Sequence, residues 1–376
     1  MIEYIPFEKI LKEVLREGGE FADLFFEQTH SVAIVCEEDR IEKVVSGLDI
    51  GVGLRLLFEG KTIYSFTNQI TEKDLLHLAQ MIRRAVRETK EGRVLNLAYR
   101  NWPTISSCPI SHHPFPVEKH PEGISIEEKV SVVNRANDVA RRLDQRVRQV
   151  KVLYRDFTQI LSIANSEGVL MEGERVGMVF SVQVVSAEGD IVQTGYEPVG
   201  GSMGFELFDL HPPEGVAQLA TRRSLLMLGA RKAPVGRMTV VLSSEAGGTM
   251  IHEAIGHGLE ADLAQQGLSV YSGKIGERVA SPLITVVDDP TLPQKRGSYA
   301  FDDEGVPSQR TLLVENGILK GYLYDRLTAL KEGVESTGNG RRESYQHKPL
   351  PRMSNTLIVS GEMKPEEIIR SVERGL

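Results

Sequence analysis

Apolar positions at Phe7, Ile10, Leu11, Val14 and Leu15 recur at helical spacing and predict a helix over residues 7–17. A β-rich stretch follows from about residue 22 to 67, punctuated by Gly51, Gly53 and Gly60. Thr71 then caps a helix of roughly twenty residues carrying Leu75, Leu76, Leu78, Ile82 and Val86 along one side. Ser125-Ile126-Glu127-Glu128 reads as a capping box opening a helix to about Leu143. A β-meander is predicted over 148–197, with turns at Ser166-Glu167-Gly168 and Glu188-Gly189-Asp190. Pro213 suits the first turn of a helix running to about Leu228, and Gly229 its end.

Past Pro234-Val235-Gly236 the pattern changes. Met238-Thr239-Val240-Val241-Leu242 reads as a buried strand, and Ile284-Thr285-Val286-Val287 as another. Asn316-Gly317, between Leu312-Leu313-Val314 and Ile318-Leu319-Lys320, marks a hairpin. Helices and strands are segregated rather than alternating, which predicts an α+β fold. The expected organisation is an N-terminal α+β domain with a mixed or antiparallel sheet over residues 1–235. A mainly β domain over 236–376 follows it.

Composition narrows the class. The 376 residues carry a formal net charge of −8, 41% hydrophobic and 26% charged residues, as in an ordinary globular protein. An acidic chain with a pI near 5.7 has no global field for nucleic acid or anionic lipid, so neither is expected as a partner. No apolar run reaches the length of a membrane helix, and the N-terminus is amphipathic with early acids rather than a secretory leader. The expected location is the cytoplasm. Two cysteines, Cys36 and Cys108, make no disulfide framework. Cys36 reads as a buried strand thiol. Cys108, His112 and His113 fall in a Pro/Ser/His-rich stretch and read as loop residues. Gly60-Lys61-Thr62 lacks the earlier glycine of a phosphate loop, since Arg55 stands there.

The chemistry concentrates in His252-Glu253-Ala254-Ile255-Gly256-His257. Two imidazoles beside a carboxylate are the parts of a hydrolytic zinc site: neutral imidazoles suit zinc, and a free Glu can take a proton from water. The histidines are five apart rather than four. On a regular helix, positions i and i+5 diverge by about 140° at about 100° per residue. The spacing therefore demands a π-like turn or a break, and Gly256 supplies backbone freedom at that place. Two separate histidines on an ordinary helix are the plainer alternative.

The runs HEAIGHGLEADL, VYSGKIGERVAS, VVDDP, RGSYAFDDEGVPSQRTLLVENGILKGYLYDR and TGNGRRESYQHKPLPRMSNT closely resemble the TldD branch of the TldD/PmbA metallopeptidases. The resemblance is collinear over about 236–376 and looser before it. It implies a zinc endopeptidase that cleaves unfolded or flexible peptides, with His252 and His257 as metal ligands and Glu253 as general base. It also implies a hetero-oligomer with a PmbA-type subunit, or a homodimer. The family's third zinc ligand is a Cys in a Cys-Gly-Lys segment near the C-terminus, and this sequence ends first, at Leu376. The expectation is thus a C-terminally truncated member whose zinc shell is completed by water or a nearby carboxylate. Glu260 and Asp262 are the nearest, exposed helix acids being their plainer reading. A non-catalytic peptide-binding or regulatory subunit is the competing expectation. Arg341, Arg342, Glu343, Tyr345 and His347 are expected to bind substrate or support the site. Asp288-Asp289 and Asp302-Asp303-Glu304 read as turn and solvated-loop acids, with orientation of the ligand histidines, or contact with a substrate amine, as the alternative.

Overall fold

A computed structural model of the chain describes residues 5–89, 106–107 and 116–376. Cys108, His112 and His113 lie outside the described residues. The first apolar stripe folds as α1 (Phe7–Val14), burying Phe7, Ile10, Leu11 and Val14. Two long strands, β1 (Phe21–Glu37) and β2 (Arg40–Phe58), pair antiparallel around a turn at Glu38 and Asp39, both at positive φ. After β3 (Lys61–Thr67), Thr71 Oγ1 accepts from the Asp74 N–H at 3.2 Å and starts α2 (Glu72–Thr89). Ser125 Oγ accepts from the Glu128 N–H, also at 3.2 Å, ahead of α3 (Ile126–Leu143).

The short β4 (Ser106–Ser107) and the meander β5 (Val147–Asn165), β6 (Val169–Glu188) and β7 (Ile191–Gly201) complete the sheet. Its order is β3-β2-β1-β5-β6-β7, antiparallel throughout, and β4 joins β6 in parallel. The short α4 (Leu207–Leu210) leads to α5 (Pro213–Leu228).

Alternation along β1 divides the sheet into two faces. Ala22, Leu24 and Phe26 pack with α1, α2 and Leu54, whereas Val32, Ile34 and Cys36 pack with α3, α5 and Phe180. Phe21, Asp23, Phe25 and Glu27 point the other way. There Phe25, Leu161 and Ile163 form a cluster with Phe301 and Tyr345, so the second half of the chain covers this part of the sheet.

That half begins with α6 (Ser244–Ile251) and continues through α7 (Ala261–Gln265), β8 (Val286–Asp288), β9 (Thr311–Glu315) and β10 (Ile318–Leu319). It ends with α8 (Arg326–Glu332), β11 (Gly340–Arg341), β12 (Leu350–Pro351), β13 (Thr356–Ile358) and α9 (Pro365–Ser371). The strands form a four-stranded sheet, β10-β9-β8-β13, and a two-stranded one, β11-β12. Asn316 and Gly317 turn the β9–β10 hairpin at φ 49° and 80°. Residues 238–242 depart from the expected buried strand. They run extended with one parallel bridge, Thr239 to Gly375, and Val240 and Leu242 are about half exposed. An apolar run becomes a core strand only when elements cover it, and among the described residues none covers this one. No described helix is long and apolar enough to cross a membrane.

Candidate metal centre

Ser243 Oγ accepts from the Ala246 N–H at 3.4 Å and starts α6, which leads directly into the histidines. Residues His252–Gly256 form a π-helical turn, and the His257 N–H donates to the His252 carbonyl, closing the i to i+5 bond that the spacing demands. The two rings are thereby neighbours, with centroids 4.6 Å apart and planes at 82°. One donor atom from each of His252, Glu253 and His257 lies within 4.8 Å of the others. His252 and Glu253 are exposed and His257 is half-buried, so the cluster opens to solvent. Two imidazoles and a carboxylate converging in this way fit a divalent metal.

The expected part of Gly256 needs correcting. Its φ and ψ, −54° and −60°, are ordinary helical values that any residue adopts. What excludes a side chain is space, because a Cβ there would stand 1.9 Å from Met353 Sδ. Gly258 is similarly pressed by the ring of Tyr271, at 2.7 Å. The Tyr271 hydroxyl donates to the Ala254 carbonyl inside the π turn at 2.8 Å. Sequence reasoning missed Tyr271 and Met353, since both lie in irregular segments where no periodicity marks them.

Glu260 is buried rather than an exposed helix acid. Its Oε2 faces His257 Nδ1 at 3.2 Å and Arg352 Nη1 at 3.3 Å. Burial pushes its carboxyl up, against the pull of His257 and Arg352. Asp262 is half-buried, 3.9 Å from the same guanidinium, and burial raises its carboxyl too.

The other acids are not solvated. Asp288 is fully buried and accepts from Ser354 Oγ, Thr356 Oγ1 and Asn339 Nδ2 at 2.6–2.8 Å. Asp289 is buried and holds Thr291 through its N–H and hydroxyl. Asp302 does make a turn, accepting from the Glu304 and Val306 N–H groups, but with no exposure. Asp303 binds Arg175 at 2.6 Å and Arg341 Nε at 3.2 Å, which together hold its carboxyl down at about 2 against the cost of burial. Glu304 meets Arg55 Nη1 at 2.6 Å, an ion pair without hydrogen-bond alignment. Burial, aided by the neighbouring acids Asp325, Asp302 and Asp23, raises Glu304 to about 8, against the pull of Arg55. These acids sit inside because each finds cations or N–H donors there.

The expected substrate cluster divides along the same line. Arg342 is buried, donating to Asp23 Oδ1 at 2.7 Å and lying 4.8 Å from the Phe25 ring centroid. Arg341 covers the Tyr299 ring. Tyr345 is buried; its N–H donates to Glu27 at 2.6 Å and its carbonyl accepts from the Tyr64 hydroxyl. Glu343 and His347 are exposed, 3.7 Å apart. The contacts of Arg341, Arg342 and Tyr345 thus run to the sheet and its buried acids, and none is with the histidine pair.

Family models for the PmbA/TldA metallopeptidases match in series: domain 1 over residues 22–88, the central domain over 119–228 and the C-terminal domain over 235–376. The chain belongs to the TldD/PmbA metallopeptidase family. A metalloprotease TldD homolog of Haemophilus influenzae is 34% identical over 363 residues, covering 95% of this chain and 74% of the relative. A metalloprotease of Methanocaldococcus jannaschii is also 34% identical, over 98% of this chain and 79% of its own length. Two solved structures share the fold of this TldD/PmbA member. A Thermotoga maritima protein, described as a candidate modulator of a DNA gyrase, superimposes with a TM-score of 0.75 at 24% identity, over 100% of this chain and 81% of its own. TldE of Thermococcus kodakarensis gives 0.73 at 18% identity, over 98% and 80%. The metalloprotease names of the relatives imply a metal cofactor, and the His252/Glu253/His257 cluster is where the described residues offer one a place.

Proposed function

We propose that this chain is a zinc-dependent endopeptidase acting on unfolded or flexible peptides. The observation that carries the reading is the π turn, which brings His252, Glu253 and His257 to one point open to solvent. His252 and His257 would hold the metal through imidazole nitrogens. When bound, zinc supplies Lewis acidity, polarising a scissile carbonyl and acidifying water. Glu253 takes a proton from the attacking water and delivers it to the departing amine. The exposure of His252 and Glu253 suits a substrate that arrives as an extended chain. Glu343 and His347 are the members of the expected substrate cluster whose side chains are open to it. The proposed setting is the cytoplasm, in a dimer with a PmbA-type subunit or a second copy, without nucleic acid.

One observation favours a second reading. The Glu253 carboxylate lies among the imidazole donors, so it can itself ligate the metal. No base would then remain, leaving a peptide-binding or regulatory subunit. Glu253→Gln decides between them. On the peptidase reading it keeps its zinc and loses cleavage of an unfolded protein by about 100-fold or more. Loss of zinc in that variant, or full activity, sinks the assignment of Glu253 as base. His252→Ala should lose zinc by elemental analysis.

A further inference from the structure

One nitrogen of His257 is already engaged, Nδ1 lying 3.2 Å from Glu260 Oε2. A neutral imidazole carries one proton, and the Glu260 oxygen that Arg352 also faces acts as an acceptor, which puts that proton on Nδ1. Glu260 is not free to swing away. It is 1% exposed, Arg352 approaches the same oxygen, and its backbone bridges to Leu323, with the next N–H, of Ala261, donating to the Leu323 carbonyl at 3.0 Å. Its other oxygen, Oε1, is buried with no hydrogen-bond partner, which makes the carboxylate an expensive residue for packing alone. Among the described residues no side chain is hydrogen-bonded to the exposed His252 ring, so the two histidines are held differently.

We infer that Glu260 is the positioning residue of the centre, fixing His257 as the Nδ1–H tautomer so that its Nε2 lone pair is the one presented to the metal. For the metal itself, the inference rests on the zinc reading given above. Arg352 in turn holds Glu260, and the adjacent Met353 presses on Gly256. One segment therefore backs both the ring and the turn that carries it.

The test uses the full chain. With metal removed, and at a pH above the imidazole range of about 6.5, long-range ¹H–¹⁵N spectra report which nitrogen of each histidine is protonated. Wild type should show His257 protonated at Nδ1. Glu260→Ala should lose that preference and leave the His252 signals in place. Competition against a chromogenic chelator should show zinc affinity lowered on the order of 10–100-fold. The near-isosteric Glu260→Gln should fall between. A wild-type His257 protonated at Nε2 overturns the inference, and that measurement needs no variant to fold. So does a folded Glu260→Ala whose zinc affinity equals wild type. Wild-type protein that binds no zinc sinks the metal reading instead, and the tautomer of His257 still decides this one.

Discussion

Two parts of the molecule are crowded with ionisable groups and are built on opposite terms. Between the large sheet and the second half of the chain, Asp23, Arg55, Asp303, Glu304 and Arg342 lie inside, each against an opposite charge, that of Asp303 coming from Arg175 and Arg341. On the π turn, His252 and Glu253 stand in solvent and only His257 is partly covered. A buried charge that loses its partner keeps its desolvation cost, so every member of the first group is needed by the others. Exposed donors remain hydrated and can exchange water for a ligand. Charge density therefore does not distinguish an interlock from a site; access to water does.

The largest effect should come from removing one cation of the interlock. Arg55→Met removes one of the two guanidiniums on Asp23 and the ion-pair partner of Glu304, and should cost about 3–5 kcal/mol in urea unfolding. Zinc affinity of the molecules that remain folded should not change. A parallel fall in affinity would show that the two regions are one unit and break the contrast.

On the other side, Gly256→Ala drives a methyl into Met353 and should cost about 1–3 kcal/mol, with zinc binding weakened because the turn itself shifts. Adding Met353→Ala should return part of both. An alanine variant as stable as wild type would show that Met353 moves aside freely.

The buried acids also give the contrast a pH dependence. Burial raises Asp302 to about 6 and Glu304 to about 8 in the folded chain. Both stand above the unfolded values of about 3.9 and 4.3, so folding binds protons there. Their contribution is complete below those unfolded values and is lost as pH rises through about 6 and then about 8. Asp303, held down at about 2, has the opposite sign, and its contribution is lost as pH falls from about 3.9 towards 2. Urea midpoints across pH should show the decline, and Glu304→Gln should flatten its upper limb. A wild-type midpoint that does not fall between pH 6 and 8 excludes a protonated Glu304.

Much of the frame was readable because local signals agreed with it. Thr71 and Ser125 cap the helices they promise, and Asn316-Gly317 turns its hairpin. The π turn followed from arithmetic on a five-residue interval. Long-range burial was not readable. Asp302-Asp303-Glu304 looks like a solvated loop until Arg55, Arg175 and Arg342 are known to converge on it from distant positions. The Met238–Leu242 run failed for the converse reason, being apolar in composition with no element among the described residues packed over it. Gly256 was marked as important, yet the cause lies in Met353, nearly a hundred residues away.

The interlock also orders events during synthesis. Asp23 and Arg55 face each other across the β1–β2 hairpin and can pair once it closes. Arg342 lies 319 residues beyond Asp23, and the Tyr345 N–H lies 318 beyond Glu27. Until those residues leave the ribosome, the sheet shows Asp23, Arg55 and Glu27 beside the apolar surface of Phe25, Leu161 and Ile163. Charged groups set into an exposed apolar face make it costly to bury that face against another chain. The same groups that finally lock the two halves together thus keep the first half apart from its neighbours while the second is being made.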